Sequence, residues 1–302
     1  MESVSPMHVA PDFIDQPAFE VVETEAQSVP FVMNSPHSGR YYPQRFLNMS
    51  KLNGKMIRRS EDYFVDELFE PSVSLGVPML KAHFPRAYLD VNREPYELDP
   101  RMFKDKLPSF TNRNSLRVAG GLGTVPRVVC EGMNIYNTRI AFSEAHDRIE
   151  NIYKPYHTKL RDLLSRTYRR FGQAALIDCH SMPASVHLGT EGVRPDFIIG
   201  DRFGTSASQD LTTSVIENLR SLGYLVAANK PYAGGFITEH YGRPTRGLHA
   251  IQIEINRSLY INEQTLKKRA GFDGLRDDLT TLMARLTSAQ ADIFADFKIA
   301  AE

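Results

Sequence analysis

Three apolar runs in this chain contain, or lead directly into, a side chain able to bind a metal or move a proton. "FVMNSPHSGRYYP" carries His37 just past its apolar part, "AALIDCHSMP" carries His180, and "HAIQIEIN" carries Glu254 inside an otherwise apolar stretch. A fourth segment, "SEDYF", adds Glu61 and Asp62 at the head of an amphipathic pattern. Two imidazoles and one carboxylate with an open fourth position make a catalytic zinc set, whereas structural zinc is usually closed by cysteines. Cys130 and Cys179 are too few for the second kind. Glu254 is costly to bury without a partner or a task, and burial of an acid at a strand end is one way to prepare a general base. Each residue also has a structural reading. A His beside Pro and Gly serves a turn, Asp62 behind an N-capping Ser60 complements a helix dipole, and Glu254 can pair with Arg257. The residues lie far apart in sequence without an HExxH-type signature, so spacing alone leaves both readings open.

Such residues need a scaffold that brings them together. Strands are predicted at "PFVMNS", "VPMLKAHF", "AYLDVN", "AALIDCHSMP", "DFIIGD", "YLVAANKPY" and "HAIQIEIN". Helices are predicted at "EDYFVDELFEPSVSLG" closed by Gly76, at "SQDLTTSVIENLRSLG", and at the terminal "FDGLRDDLTTLMARLTSAQADIFADFK". The stretch "NTRIAFSEAHDRIENIYKPYHTKLRDLLSRTYRRFG" reads as helical, broken or kinked at Pro155. This alternation predicts the α/β class, one domain with a central β-sheet flanked by helices on both faces. The sheet is expected to be mixed, because "PMLKAHF" and "AYLDVN" are joined too tightly for a crossover helix. Ligands of open α/β sheets collect at the carboxyl ends of strands, which is where His37 and His180 fall. The Pro-, Gly- and Asn-rich segment 97–129 reads as a long surface excursion. The domain is drawn over 28–302, after an acidic, apolar-poor arm, 1–27, expected to be loosely held.

Lys plus Arg and Asp plus Glu each number 36, a formal net charge of zero. No global field favours nucleic acid or an anionic membrane, so the expected partner is a small molecule. No stretch reaches the ~18 apolar residues of a membrane span, and the opening residues are acidic rather than leader-like. With two cysteines, the expectation is a soluble cytoplasmic protein of open oligomeric state. An anionic substrate is suggested by "FPRAYLDVNREPYELDP", where Arg86 and the pair Asn92 and Arg93 bracket a predicted strand. A planar guanidinium beside an amide makes a bidentate carboxylate clamp; the alternative is arginines paired with Asp90 or Glu94.

The segments "NSPHSGRYYP", "SEDYFVDELF", "PRAYLDVNREPYELDP", "GLGTVPRV", "RIENIYKPYH", "LIDCHSMP" and "LHAIQIEINRSLYINE" together resemble the N-formylglutamate amidohydrolase family, in order from about residue 28 to 270. That family is similar in fold to the zinc carboxypeptidases and aspartoacylase. The resemblance implies one zinc ion, or another divalent metal, held by His37, Asp62 and His180. It implies Glu254 as acid/base, Arg86 at the oxyanion, and Asn92 with Arg93 on the substrate carboxylate. The implied activity is hydrolysis of the formyl amide of N-formyl-L-glutamate. One departure stands out: zinc carboxypeptidases place the first His and the acid ligand in one HxxE, while "HSGR" has no acid there. The resembled family's pattern puts an Asp at the start of the predicted helix, which implies Asp62, with its neighbour Glu61 as the alternative. Asp178 and Asp90 are candidates to hold the outer nitrogen of a ligand imidazole. Arg127, Arg243, Arg246, Tyr232 and His240 are loop candidates for a second substrate carboxylate. Two other functions remain open: hydrolysis of a different N-acyl amino acid, and a metal- or ligand-binding module without turnover. No G-x-S-x-G elbow supports serine hydrolysis.

Overall fold

The computed structural model describes residues 12–13, 15–188 and 192–295. Most of the arm's first half and the last residues of the predicted terminal helix lie outside them. The chain divides into two compact units. Unit 1 takes Met1–Glu20, Gly39–Glu61 and Ala82–Lys159; unit 2 takes Val21–Ser38, Asp62–Lys81 and Leu160–Glu302. No helix among the described residues is long and apolar enough to cross a membrane.

In chain order the strands are β1 (Phe19–Val22), β2 (Phe31–Ser35), β3 (Met79–Ala82), β4 (Val128–Cys130), β5 (Met133–Asn134), β6 (Ala174–Met182), β7 (Phe197–Gly200), β8 (Val226–Ala228), β9 (Leu248–Asn256), β10 (Ile261–Asn262) and β11 (Lys267–Lys268). Seven of them form one sheet in the order β1-β3-β2-β6-β9-β7-β8. β3, β2, β6 and β9 run parallel; β7 pairs antiparallel with β9, and β8 is parallel to β7. The sheet is mixed as expected, but the reversal comes at β7. The predicted strand "AYLDVN" is not one. Tyr88 and Leu89 N–H groups donate back to Pro85 O (2.9 and 3.3 Å) and Asp90 N–H to Thr124 O (2.8 Å), so turn bonds replace a ladder. Its apolar alternation was misleading because Ala87 through Arg93 are all buried on every side.

Strand alternation gives the sheet of unit 2 two unlike faces. Phe31, Met33, Ala175, Ile177, Cys179, Phe197, Ile199, Ile251, Ile253 and Ile255 point to one side. There they pack with Val65, Leu68 and Phe69 of helix Val65–Phe69, Leu211, Val215 and Leu219 of helix Gln209–Ser221, and Leu275, Leu279, Leu282 and Leu286 of helix Phe272–Ser288. The opposite side carries the alternating polar residues, and there Gly235 N–H, at the head of helix Phe236–Tyr241, donates to Gln252 Oε1 (2.8 Å).

The predicted helix at "EDYF" also differs. Ser60 is the last residue of a 3-10 turn, Ile57–Ser60, rather than an N-cap, and the α-helix starts only at Val65 after Phe64 at φ 57°. Asp62 thus stands on irregular backbone, its N–H donating to His37 O (3.0 Å). Past that helix a 3-10 turn, Glu70–Leu75, ends at Gly76 as expected. Gly76 has φ +82°, and a Cβ there would come within 2.0 Å of Ser28 Oγ, so no other residue fits without displacement.

In unit 1 the excursion after residue 97 contains a 3-10 turn, Pro100–Met102, a short helix, Leu116–Ala119, capped by Ser115, and the β4–β5 hairpin. The helical run Phe142–Phe171 is not broken at Pro155. A π-helical turn, Ile149–Tyr153, precedes it, with Lys154 N–H reaching Ile149 O, and the helix continues to Phe171. Such a turn re-sets the ladder where proline offers no N–H. Gly39 answers why "PHSG" ends in glycine: a Cβ would lie 2.0 Å from Phe84 O.

Candidate metal centre

β2, β6 and β9 are parallel neighbours, so their carboxyl ends share one edge of the sheet. His37 leaves β2 two residues past its end, His180 is inside β6, and Asp62 is carried by the irregular segment before helix Val65–Phe69. All three are buried, and each offers one ligand atom within 4.8 Å of the others. His180 Nδ1 lies 2.9 Å and His37 Nδ1 3.4 Å from the same oxygen, Asp62 Oδ2. The two rings lie 4.9 Å apart between centroids, with their planes tilted by 59°. Two zinc–ligand bonds of about 2.1 Å can span up to about 4.2 Å, and both separations from Asp62 Oδ2 fall within that reach. Two neutral-type nitrogen donors and one carboxylate suit zinc among divalent metals; the donor set fits.

The electrostatics match a site built for a cation. Burial alone would raise the Asp62 pKa, yet hydrogen bonds from His180 and His37 hold its carboxyl well below the usual range. Burial would lower that of His180, but the Asp178 and Asp62 carboxylates on either side of the ring outweigh it and hold the imidazole well above its ordinary value. Asp178 Oδ2 is 2.9 Å from His180 Nε2, and Asn34 Nδ2 donates to Asp178 Oδ1 (2.7 Å). A carboxylate on the outer nitrogen fixes the ring so that Nδ1 faces Asp62. Of the two acids suggested for this task Asp178 performs it, while Asp90 pairs with Arg86 and Arg93.

Backbone direction sends Asp62 and Glu61 to different partners. Asp62 turns to the imidazoles. Glu61 turns to Arg58 (Nη2–Oε2, 2.9 Å) and accepts from Tyr42 Oη (2.6 Å); burial pushes its pKa up against those partners.

Glu254 is the register partner of His180 across β6 and β9. Register partners in a parallel pair project to the same face about 4.8 Å apart, so Glu254 stands beside the His180 side chain. Its Oε1 accepts from Gln252 Nε2 (2.8 Å), whose own oxygen takes the Gly235 N–H. Asn34, Asp178 and Gln252 form one registered row and His180 with Glu254 the next. Arg257, offered above as a partner for Glu254, is turned to Asp62 Oδ1 (3.2 Å) and Glu263 (3.6 Å). Asn34 and Gln252 went unremarked in the sequence; for Gln252 the signal was there, a polar residue at every second position in "IQIEIN".

Arg86, Asn92 and Arg93 belong to unit 1. Arg86 Nε donates to Asp90 Oδ2 (2.9 Å), the pairing weighed above as the alternative. Asp90 Oδ1 accepts the Asn92 N–H (2.9 Å), and Arg93 is anchored on Leu122 O (2.8 Å) and Asn92 O (2.7 Å). Burial pulls the Arg93 pKa down to about 10, with Asp90 opposing it, and the group stays cationic at neutral pH. Among the loop candidates, Arg127 is tied to Asp99 (2.6 Å) and Arg243 donates to Glu239 O (2.7 Å). His240 stacks on Phe236, 4.9 Å between centroids.

Comparison with known proteins gives this geometry a context. The family model for N-formylglutamate amidohydrolase matches residues 29–261. An N-formylglutamate deformylase of Pseudomonas aeruginosa is 28% identical over 250 residues, covering 81% of this chain and 87% of its own. One from Pseudomonas putida is 30% identical over 209 residues, 67% of this chain and 71% of its own. The crystal structure of an N-formylglutamate amidohydrolase from Ralstonia eutropha JMP134 superposes with a TM-score of 0.85 at 33% identity, covering 90% of this chain and 97% of that one. A gene product of Agrobacterium tumefaciens at 17% identity and a TM-score of 0.63 shares the fold. With the matched region running from the first residue of "VPFVMNSP" through β9 to Ile261, this chain belongs to the N-formylglutamate amidohydrolase family and is a hydrolase of amide bonds.

Proposed function

We propose that the protein hydrolyses the formyl amide of N-formyl-L-glutamate to formate and L-glutamate, with a divalent ion, zinc by preference, held by His37, Asp62 and His180. The observation that carries the reading is the convergence of His37 Nδ1 and His180 Nδ1 on Asp62 Oδ2 at the strand ends, in a chain of this family. An ion held there would supply Lewis acidity and make water a stronger acid near neutral pH. Glu254 accepts the proton of the attacking water and returns it to the leaving amine nitrogen; its place beside His180 and its hydrogen bond from Gln252 orient it for this. Asp178 keeps the His180 ring oriented throughout. The resemblance to the family assigns Arg86 to the developing oxyanion, an interaction worth about 3 kcal/mol per donor, and Asn92 with Arg93, whose amide and guanidinium suit a carboxylate, to the substrate.

The test is formate release by the purified protein from N-formyl-L-glutamate, with N-acetyl- and N-succinyl-L-glutamate alongside, before and after chelation and zinc repletion. Formate release that is lost with chelator and restored by zinc is expected, with the larger acyl groups poor substrates. Preference for a larger acyl group would replace the substrate, and chelator-insensitive turnover would replace the metal. Glu254→Gln should lose turnover by several orders of magnitude while keeping its metal; an unchanged rate would remove Glu254 from the chemistry.

A further inference from the structure

A carboxylate can meet a metal through one oxygen or through two, and rotation about its last torsion is soft, so something must choose. In this protein the choice is built into a ring of three buried side chains brought from distant parts of unit 2. Asp62 Oδ1, the oxygen turned away from the imidazoles, accepts from Ser181 Oγ (3.2 Å) and Arg257 Nη2 (3.2 Å). Arg257 Nε donates to Ser181 Oγ (3.0 Å), which closes the ring. The guanidinium is itself held: Nη1 is 3.6 Å from Glu263, and its carbon lies 5.5 Å from the Tyr63 ring centroid. Arg257 is only 6% exposed, at the first position after β9, and Ser181 directly follows His180 on β6.

We infer that Arg257, acting with Ser181, is a positioning residue that engages Asp62 Oδ1 so that Oδ2 alone is presented to the metal. The assignment rests on the metal-centre reading above and adds to it the residue that sets how the acid binds. Arginine is required because its planar fork reaches two acceptors at once, Ser181 Oγ through Nε and Asp62 Oδ1 through Nη2. A lysine in its place keeps the charge and makes a single, pivoting contact. A released Asp62 swings, and Oδ1 becomes available as an additional donor.

The experiment compares wild type, Arg257→Lys and Ser181→Ala, each freed of metal and checked for fold by circular dichroism. Zinc affinity is read by chelator competition, and coordination by the visible absorption of the cobalt-loaded proteins, which is strong for four-coordinate Co2+ and weak for five or six. Arg257→Lys is expected to weaken zinc binding about tenfold or more, in the range typical of groups that orient ligands, and to weaken the cobalt band. Ser181→Ala should move both readouts the same way by less, and it carries the test should Arg257→Lys fail to fold. Variants that lose thermal stability yet keep the wild-type zinc affinity and cobalt spectrum would reduce Arg257 to a buttress of the fold. Wild-type protein that takes up neither ion would overturn the metal reading and this assignment together, whereas uptake unaltered in the variants overturns the assignment alone.

Discussion

His249 should make the fold acid-labile, and the size of the effect follows from its surroundings. The residue is 3% exposed on β9, with its ring 5.2 Å from that of Phe294. Its Nδ1 accepts the backbone N–H of Ser208 (3.1 Å), the residue that caps helix Gln209–Ser221. An imidazole nitrogen that accepts must carry a lone pair, so protonation there would set two N–H groups against each other. Burial pulls the His249 pKa down from 6.5 to about 4. A histidine with a lowered folded pKa contributes stability that is present above its unfolded value and lost as pH falls from 6.5 toward 4. The full span is about 2.5 pKa units, or about 3 kcal/mol, of which about 2 kcal/mol should be gone between pH 7 and pH 5. The measurement is urea unfolding of the metal-free protein at pH 7, 6 and 5, run beside His249→Asn, which keeps an acceptor near the Nδ1 position and cannot take up this proton. Groups common to both chains cancel in the difference between the two curves. The variant's stability should fall less over this range, by about 2 kcal/mol; two parallel curves would mean that His249 is not held neutral by its surroundings and would refute the reasoning.

The two neighbouring acids should separate cleanly: Asp62→Asn is expected to weaken zinc binding at least a hundredfold, and Glu61→Gln to leave it within about twofold, by chelator competition. Equal losses would mean the backbone does not divide their tasks. Because the flanking carboxylates raise the His180 pKa and a metal binds the neutral imidazole, zinc uptake near pH 7 is expected to release protons, and zinc affinity to rise with pH. Calorimetry in buffers of different ionisation enthalpy reads this directly, and a buffer-independent heat would count against the ion-paired resting site. On the apolar face of the sheet, Ile253→Ala on β9 removes a fully buried side chain and should cost about 3 kcal/mol of unfolding free energy. A loss below about 1 kcal/mol there would mean that the cluster closes over the gap.

Strand positions at "PFVMNS", "AALIDCHSMP", "DFIIGD" and "HAIQIEIN", the helix at 209–221 and the glycine stop at 76 were legible because each is a local matter: side-chain period, caps and turn chemistry. The same local signal misled at "AYLDVN", whose apolar period is satisfied by burial in a turn-rich segment, and at Ser60, where a 3-10 turn took the place of an N-cap. Pro155 marked an irregularity that the helix absorbs one turn earlier.

What the amino-acid sequence determined by itself is the inventory: two imidazoles, neighbouring acids and a strand glutamate, each at the edge of an element, on strands whose alternation sends polar and apolar side chains to opposite faces. What only the tertiary structure decided is which of these meet. Register across β2, β6 and β9 sets Asp178 with Asn34 and His180 with Glu254, and the backbone turn at 61–62 sends one acid to Arg58 and the other to the imidazoles. Arg257 arrives at Asp62 from 195 residues away. Contacts of that span depend on how strands are ordered and aligned, and no spacing read along a single stretch of chain carries that information.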